Sequence, residues 1–306
     1  MKKILLTTAL LAATAGAASA EITLSGSGRF GLAYTDSAAP GFSSTVLSYR
    51  LRVNVNAKFE ADNGVTYGGR IRFQNSNGQA TSPFSPAMLY VEASGVRVEV
   101  GNANTAYDSV ALMYNPEVGF LSRSHGDPQG SYYGFNSGPY GSGEANRVGI
   151  YAAYSVSGVN LKASLIQADQ SVSGGDDEMS IAADYQAAQF TVAAAYAQNG
   201  GGIADNDLTF VGVAYKFGDA GSVGLNYNDN GTIGGLEVGK TTTLYGTYSI
   251  NGIGLIAYVT DSNVAAADTA YGLGASYDLG GATLAGGIES GFAGEMRADL
   301  GVNMSF

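Results

Sequence analysis

Seven basic side chains, Arg29, Arg50, Arg52, Lys58, Arg70, Arg72 and Arg97, crowd into fewer than eighty positions near the start of the chain, each flanked on both sides by an apolar residue or glycine. Guanidinium and ammonium groups in such a row form no covalent intermediates. They are fixed cations that attract anions, repel cations and orient water. The acids placed to oppose them lie in one long stretch, residues 102–145, which holds Asp108, Glu117, Asp127 and Glu144 alongside Arg123. The chemistry on offer is electrostatic: charges of both signs held across a gap.

Reactive alternatives are weaker. Gly26-Ser27-Gly28-Arg29-Phe30-Gly31 matches the spacing of a dinucleotide fingerprint, but no helix pattern follows it, so its glycines are read as permitting bending, close approach or subunit contact. His125 is the only histidine, and in a connecting segment it is expected to be solvated or to face an aqueous space rather than to act as a base. A hydrolase would need a serine and an acid fixed beside it. The clusters Asp176-Asp177-Glu178 and Asp205-Asn206-Asp207 offer oxygen ligands to a loosely held calcium ion. Neither has the EF-hand pattern, and solvated surface acids are the simpler reading. No other cofactor is expected.

The segment from Leu47 to Glu60 shows what positions the charges. Leu47, Tyr49, Leu51, Val53, Val55, Ala57 and Phe59 alternate with Ser48, Arg50, Arg52, Asn54, Asn56, Lys58 and Glu60. A strand turns successive side chains to opposite faces, so one face is apolar and the other strongly polar. Sixteen such segments are expected, near 22–35, 47–60, 65–75, 87–93, 95–101, 146–156, 159–168, 179–186, 188–197, 207–217, 222–228, 241–250, 252–260, 269–279, 282–289 and 295–306. Tight turns at 61–64, 94–95, 157–158, 187–188, 218–221, 251–252 and 280–281 alternate strictly with longer polar connections, the longest being 102–145. Glycine and asparagine in the tight turns supply the positive φ that hairpins need.

Composition narrows the setting. Residues 1–20 have a basic start, a short apolar run and a small-residue Ala18-Ser19-Ala20 site, the pattern of a cleaved secretory signal peptide. The remaining 21–306 carry 13 basic and 26 acidic groups, which disfavours nucleic acid. There is no cysteine, hence no disulfide framework or thiolate metal site. Forty-five glycines and twenty tyrosines suit all-β structure.

One end of the sheet trimmed and the other elaborated is the pattern of an up-and-down barrel spanning a membrane. Strands of about ten residues, tilted, cover the roughly 25 Å apolar band of such a barrel. Sixteen strands enclose a bore too wide for side chains to fill. Met296, Ala298, Leu300, Val302, Met304 and Phe306 would then face lipid opposite Arg297, Asp299, Gly301, Asn303 and Ser305. Tyr and Phe near strand ends would form interfacial girdles. A cation facing lipid at the midplane costs about 2 to 4 kcal/mol, which explains why all seven basic residues share the polar face. They read as a basic wall along one side of an aqueous channel.

The opening EITLSGSGRFGLAY, the hairpin YGLGASYDLGGATLAGGIE and the ending MRADLGVNMSF resemble the termini of the general diffusion porins of alphaproteobacteria, the Rhodobacter type. That resemblance implies a sixteen-stranded homotrimeric barrel in the outer membrane, among lipid and lipopolysaccharide, with a long third external loop folded inward. It implies that terminal Phe306 is an assembly signal read by the barrel-assembly machinery, and it slightly favours calcium without naming ligands. The family's inner loop is richer in acids than Asp108, Glu117 and Asp127 provide. The resulting expectation is an all-β transmembrane antiparallel barrel over 21–306, with 102–145 as a constriction loop, passing ions and small hydrophilic solutes and catalysing nothing. The competing reading is an exported structural or adhesive β-protein, such as a glycine-rich solenoid, without channel activity. The irregular segment lengths count against it.

Overall fold

The structure, a computed structural model, describes residues 20–79, 83–141, 144–169, 171 and 173–306. The expected signal peptide falls almost wholly outside the described residues. Eighteen strands follow in order: β1 (Glu21–Thr35), β2 (Thr45–Glu60), β3 (Thr66–Ser76), β4 (Met88–Ala93), β5 (Val96–Gly101), β6 (Val148–Val156), β7 (Val159–Gln167), β8 (Glu178–Ala187), β9 (Phe190–Gln198), β10 (Leu208–Phe217), β11 (Gly221–Asp229), β12 (Thr232–Ile233), β13 (Leu236–Glu237), β14 (Lys240–Ile250), β15 (Ile253–Ser262), β16 (Ala270–Asp278), β17 (Ala282–Ser290) and β18 (Met296–Ser305). Sixteen of them close into one antiparallel barrel, each strand beside its sequence neighbour and β1 beside β18. The two-residue strands β12 and β13 pair only with each other, in the connection between β11 and β14. Closure leaves no free sheet edge, the condition for a sheet to cross hydrocarbon.

The two faces separate as the alternation requires. Along β8, Glu178, Ser180, Ala182 and Asp184 are buried while Met179, Ile181 and Tyr185 are exposed. Ile22, Leu24, Leu273 and Leu300 also lie exposed on the outside, the arrangement that suits acyl chains. Aromatics that end strands, among them Phe59, Tyr67, Tyr154, Tyr215, Tyr248 and Tyr277, are exposed outward as well.

The tight turns sit where expected, but not all rely on glycine or asparagine. Ser94, Ser157 and Ala188 carry φ of 50°, 49° and 50°, so the first turn position takes an ordinary residue into the left-handed region. The two-residue hairpin demands that handedness because it matches the twist of the flanking strands.

The inward face departs from a uniformly polar surface. Ala182 of β8, Ala193, Ala195 and Ala197 of β9, and Leu208, Phe210 and Ala214 of β10 are buried. These positions meet protein rather than water, for the reason given below.

The seam between β1 and β18 explains the glycine run. Gly26 and Phe306 exchange backbone hydrogen bonds, Gly26 N to Phe306 O at 2.6 Å and Phe306 N to Gly26 O at 3.1 Å. A Cβ at Gly26 would strike both the Phe306 ring and the Arg52 carbonyl. The glycines serve close approach, as expected of them. Gly26→Val should therefore block seam closure and abolish the compact, heat-modifiable band on a detergent gel. Normal migration of that variant would show that the seam tolerates a side chain.

Candidate functional site

The connection from β5 to β6, described over residues 102–141 and 144–147, runs inside the barrel, and its backbone is held by polar side chains that the wall presents inward. Asn102 ties its two ends together, donating to Asn136 O at 2.8 Å and accepting from Asn136 N at 2.9 Å. On the outward run, Ala106 N donates to Ser164 Oγ (2.9 Å) on β7 and Tyr107 N to Ser180 Oγ (3.2 Å) on β8. Asn226 Nδ2 of β11 donates to Leu112 O at 2.8 Å. At the tip, Phe120 N donates to Asp299 Oδ1 of β18 at 2.8 Å. On the return, His125 N meets Tyr258 OH (3.1 Å), Asn228 Nδ2 meets Gly126 O (3.2 Å), and Tyr133 N meets Glu178 Oε2 (2.7 Å). Buried peptide groups need such partners, and the wall supplies them strand by strand.

Beneath this polar stitching, Ala106, Tyr107, Val110, Leu112 and Met113 pack on the alanines and larger apolar groups of β8 to β10. Small wall residues make room for the loop, which is why that inward face is apolar. At the tip, a Cβ on Gly119 would overlap the Asp299 carboxylate, so glycine lets the chain lie against the wall. Gly119 also has φ of 75°, a conformation that glycine adopts at little cost.

The loop thus docks on the wall from β7 round to β18 and is met across the bore by Arg29 of β1 and Arg72 of β3; the other lumen-side residues of β2 and β3 are half-buried or exposed. Of the expected basic residues, Arg29 lies on β1, Arg50, Arg52 and Lys58 on β2, Arg70 and Arg72 on β3, and Arg97 on β5. Arg29 stands opposite Arg50, Arg52 opposite Gln74, Arg72 opposite Asn54 and Arg70 opposite Asn56. Arg52 donates through Nε to Gln74, Arg70 to Asn56 (2.8 Å) and Arg72 to Asn54 (2.8 Å). Neutral amides fix the guanidinium planes without cancelling their charge.

The seven basic residues are not equivalent. Arg29 Nη1 donates to Leu121 O at 2.7 Å, clasping the loop tip. Arg72 Nη1 donates to Ser137 Oγ at 2.8 Å, and its guanidinium lies 4.6 Å from the centre of the Phe135 ring, clasping the return arm. Arg97 is paired with Glu92 (2.9 Å) and Glu99 (2.8 Å) and lies over Tyr90, so its charge is already met. Arg50, Arg52, Lys58 and Arg70 make no ion pair among the described residues.

The three loop acids also divide. Asp108 accepts from Tyr114 OH at 2.6 Å, and that hydroxyl lies 2.8 Å from Tyr132 OH, a network inside the loop. Asp127 is held away from water, and burial pushes its carboxyl up to about 8. Glu117 feels Arg29 and Arg50; burial raises it to about 7, and the two arginines hold it from rising further. Arg123 does not neutralise it, because Arg123 is drawn to Glu289 (3.7 Å) and Asp299 (3.5 Å) of the wall.

Two expectations need correction. His125 is not solvated: it is buried, edge-on to Phe292, with Nε2 3.8 Å from Glu295. Glu178 is not a loop acid free for calcium, since it opens β8, is fully buried, and accepts from Tyr133 N and Gly201 N at 2.7 Å each. Asp177 accepts from Ala168 N, and Asp207 from Tyr196 OH and Asn199 N. Among the described residues no three acidic or histidine side chains are grouped to hold a metal. Sequence reasoning missed the docking amides Asn206, Asn226, Asn228 and Asn230, all buried. In β11 the alternation already pointed Asn226 and Asn228 inward, but nothing local says that a loop will cover them.

A family model described as Gram-negative porin matches residues 7–293. The chain belongs to the Gram-negative porin family. It is 45% identical over 292 residues to a porin of Fuscovulum blasticum, covering 94% of this chain and all of that one. A porin of Rhodobacter capsulatus is 28% identical over 320 residues, again covering 94% of this chain and all of the relative. Among solved structures, a triple mutant of the Rhodopseudomonas blastica porin superposes with a TM-score of 0.89 at 44% identity, covering 94% of this chain and all of the other. This porin is therefore a channel of the Gram-negative outer membrane, not an enzyme, and the reading as a non-conducting structural protein has no support.

Proposed function

We propose that permeation is controlled in the gap between the basic wall of β1 to β3 and the inner edge of the 102–147 loop. The observation that carries this reading is the uneven cover of the lumen. The loop fills one side of the bore, and Arg50, Arg52 and Arg70 stand on the other with no acid in ion-pair contact. Fixed charges there order water and admit ions and small hydrophilic solutes down their gradients, while an apolar solute must displace that ordered water. Arg29 and Arg72 contribute charge and also hold the loop. The mechanism calls for no cofactor.

Glu117 gives this gap a pH dependence. Below about 7 its carboxyl is protonated, leaving the arginines unopposed; above that value it is ionised and offsets one of them. Anion preference should weaken as pH rises from 6 to 8, measured as the reversal potential in a salt gradient, and Glu117→Gln should remove that step. The same pH profile in both proteins would take Glu117 out of the gap.

The assembly follows from the resemblance: a homotrimer among lipid and lipopolysaccharide, delivered by the barrel-assembly machinery through Phe306. The exposed Phe306 ring beside Gly26 is consistent with a terminus that is recognised first and seals the seam last. Unheated migration at trimer mass, lost when Phe306 is deleted, tests both points.

A further inference from the structure

Below the arginine rows, toward the tight-turn end of the barrel, the lumen wall contains a recess of about 230 Å³ lined by Lys58, Arg70, Tyr90, Arg97, Met88 and Glu21 among others. We infer that this recess is a binding subsite for a small oxyanion, inorganic phosphate or a short carboxylate, sharing Arg70 with the gap but lying beyond Arg50 and Arg52 toward the tight-turn end. The inference rests on the reading that β1 to β3 face an aqueous lumen.

The register builds the site. Gly68 of β3 stands between Lys58 of β2 and Tyr90 of β4. A Cβ at Gly68 would strike the Tyr90 ring, so the ring lies across the glycine and forms a floor beside Lys58. Arg97 sits 3.8 Å from the centre of that ring and is itself held by Glu92 and Glu99. Its role is to fix the floor, since its charge is already satisfied. Arg70, diagonal to Lys58 across the same pair of strands, spends only Nε, on Asn56 Oδ1, and its terminal nitrogens have no protein partner among the described residues. Lys58 and the Tyr90 hydroxyl have none either. Glu21 is opposite Lys58 in register yet outside ion-pair distance.

Two uncommitted cations and a phenol donor around one small recess match the donor set of an oxyanion, whose oxygens accept charge-assisted hydrogen bonds from several directions. Lys58 lies six residues along β2 from Arg52, about 20 Å at the rise of an extended strand. An anion that has crossed the gap would therefore pause here before leaving.

The test uses the full mature protein in planar bilayers, following chloride conductance while phosphate, or separately acetate, is raised in both chambers. Conductance should fall saturably, and Lys58→Gln with Arg70→Gln should raise the concentration for half effect by about tenfold or more, as expected for losing charge-assisted bonds. Tyr90→Phe should raise it less. Arg50→Gln with Arg52→Gln should shift selectivity while leaving the half-effect concentration in place, which separates the subsite from the gap. A response to only one of the two anions identifies the source. A non-saturating response in the wild type, or an unchanged half-effect in the Lys58/Arg70 variant that still migrates as a folded barrel, overturns the inference.

Discussion

Replacing Arg50, Arg52 and Arg70 together with glutamine turns the channel toward cations. Three fixed positive charges disappear from the open side of the bore, and none leaves an orphaned acid behind, because none makes an ion pair among the described residues. At positions 52 and 70 glutamine still faces the amides of Gln74 and Asn56, and Arg50 has no side-chain amide partner to lose among the described residues, so the fold is undisturbed. Glu117 in the loop then acts on passing ions without Arg50, one of the two arginines that oppose it, while Arg29 remains. In a tenfold potassium chloride gradient the reversal potential should move on the order of 10 mV in the cation-selective direction, within the limit of about 59 mV per decade for a monovalent ion. An unchanged reversal potential would remove these residues from the permeation path.

Excising the loop core has the largest effect on conductance. Thr105 Oγ1 donates to Tyr133 O at 2.7 Å, so the two arms are already in contact and residues 106–131 can be removed with a short glycine-serine join. Strands β5 and β6 pair with each other directly, Gly101 opposite Gly149, so the barrel does not depend on the loop to close. The alanine face of β8 to β10 would be wetted, at a cost near 25 cal/mol per Å² exposed. The barrel should survive, less stable than before. Because the narrowest section sets the resistance, single-channel conductance should rise by about twofold or more. A folded, heat-modifiable variant with wild-type conductance would mean that the loop does not narrow the path.

Much of this architecture is written in strictly local rules. A period of two, tight turns, and alternating connection lengths placed all sixteen barrel strands with ends within two residues of those observed. The shared face of the basic residues was legible from the alternation of cation and apolar neighbour. Division of labour within it was not, since Arg29 on Leu121 O and Arg97 between Glu92 and Glu99 depend on contacts that alternation does not encode. The same limit applies to His125 and Glu178, whose burial comes from elements far away in sequence. The apolar inner face of β9 was hidden for the opposite reason: alanine on both faces gives no alternation to read, and only the docked loop distinguishes Ala193 and Ala195 from Ala194.

Because the chain has no cysteine, a single introduced thiol reports its own surroundings without background. Arg52→Cys and Leu51→Cys are adjacent on β2 and differ only in face, Leu51 being exposed on the outside. With each variant in a planar bilayer, a membrane-impermeant sulfonated thiol reagent should reduce the current stepwise through Arg52→Cys and leave Leu51→Cys unaffected. Block of the Leu51 variant with sparing of the Arg52 variant would contradict a lumen lined by the basic wall.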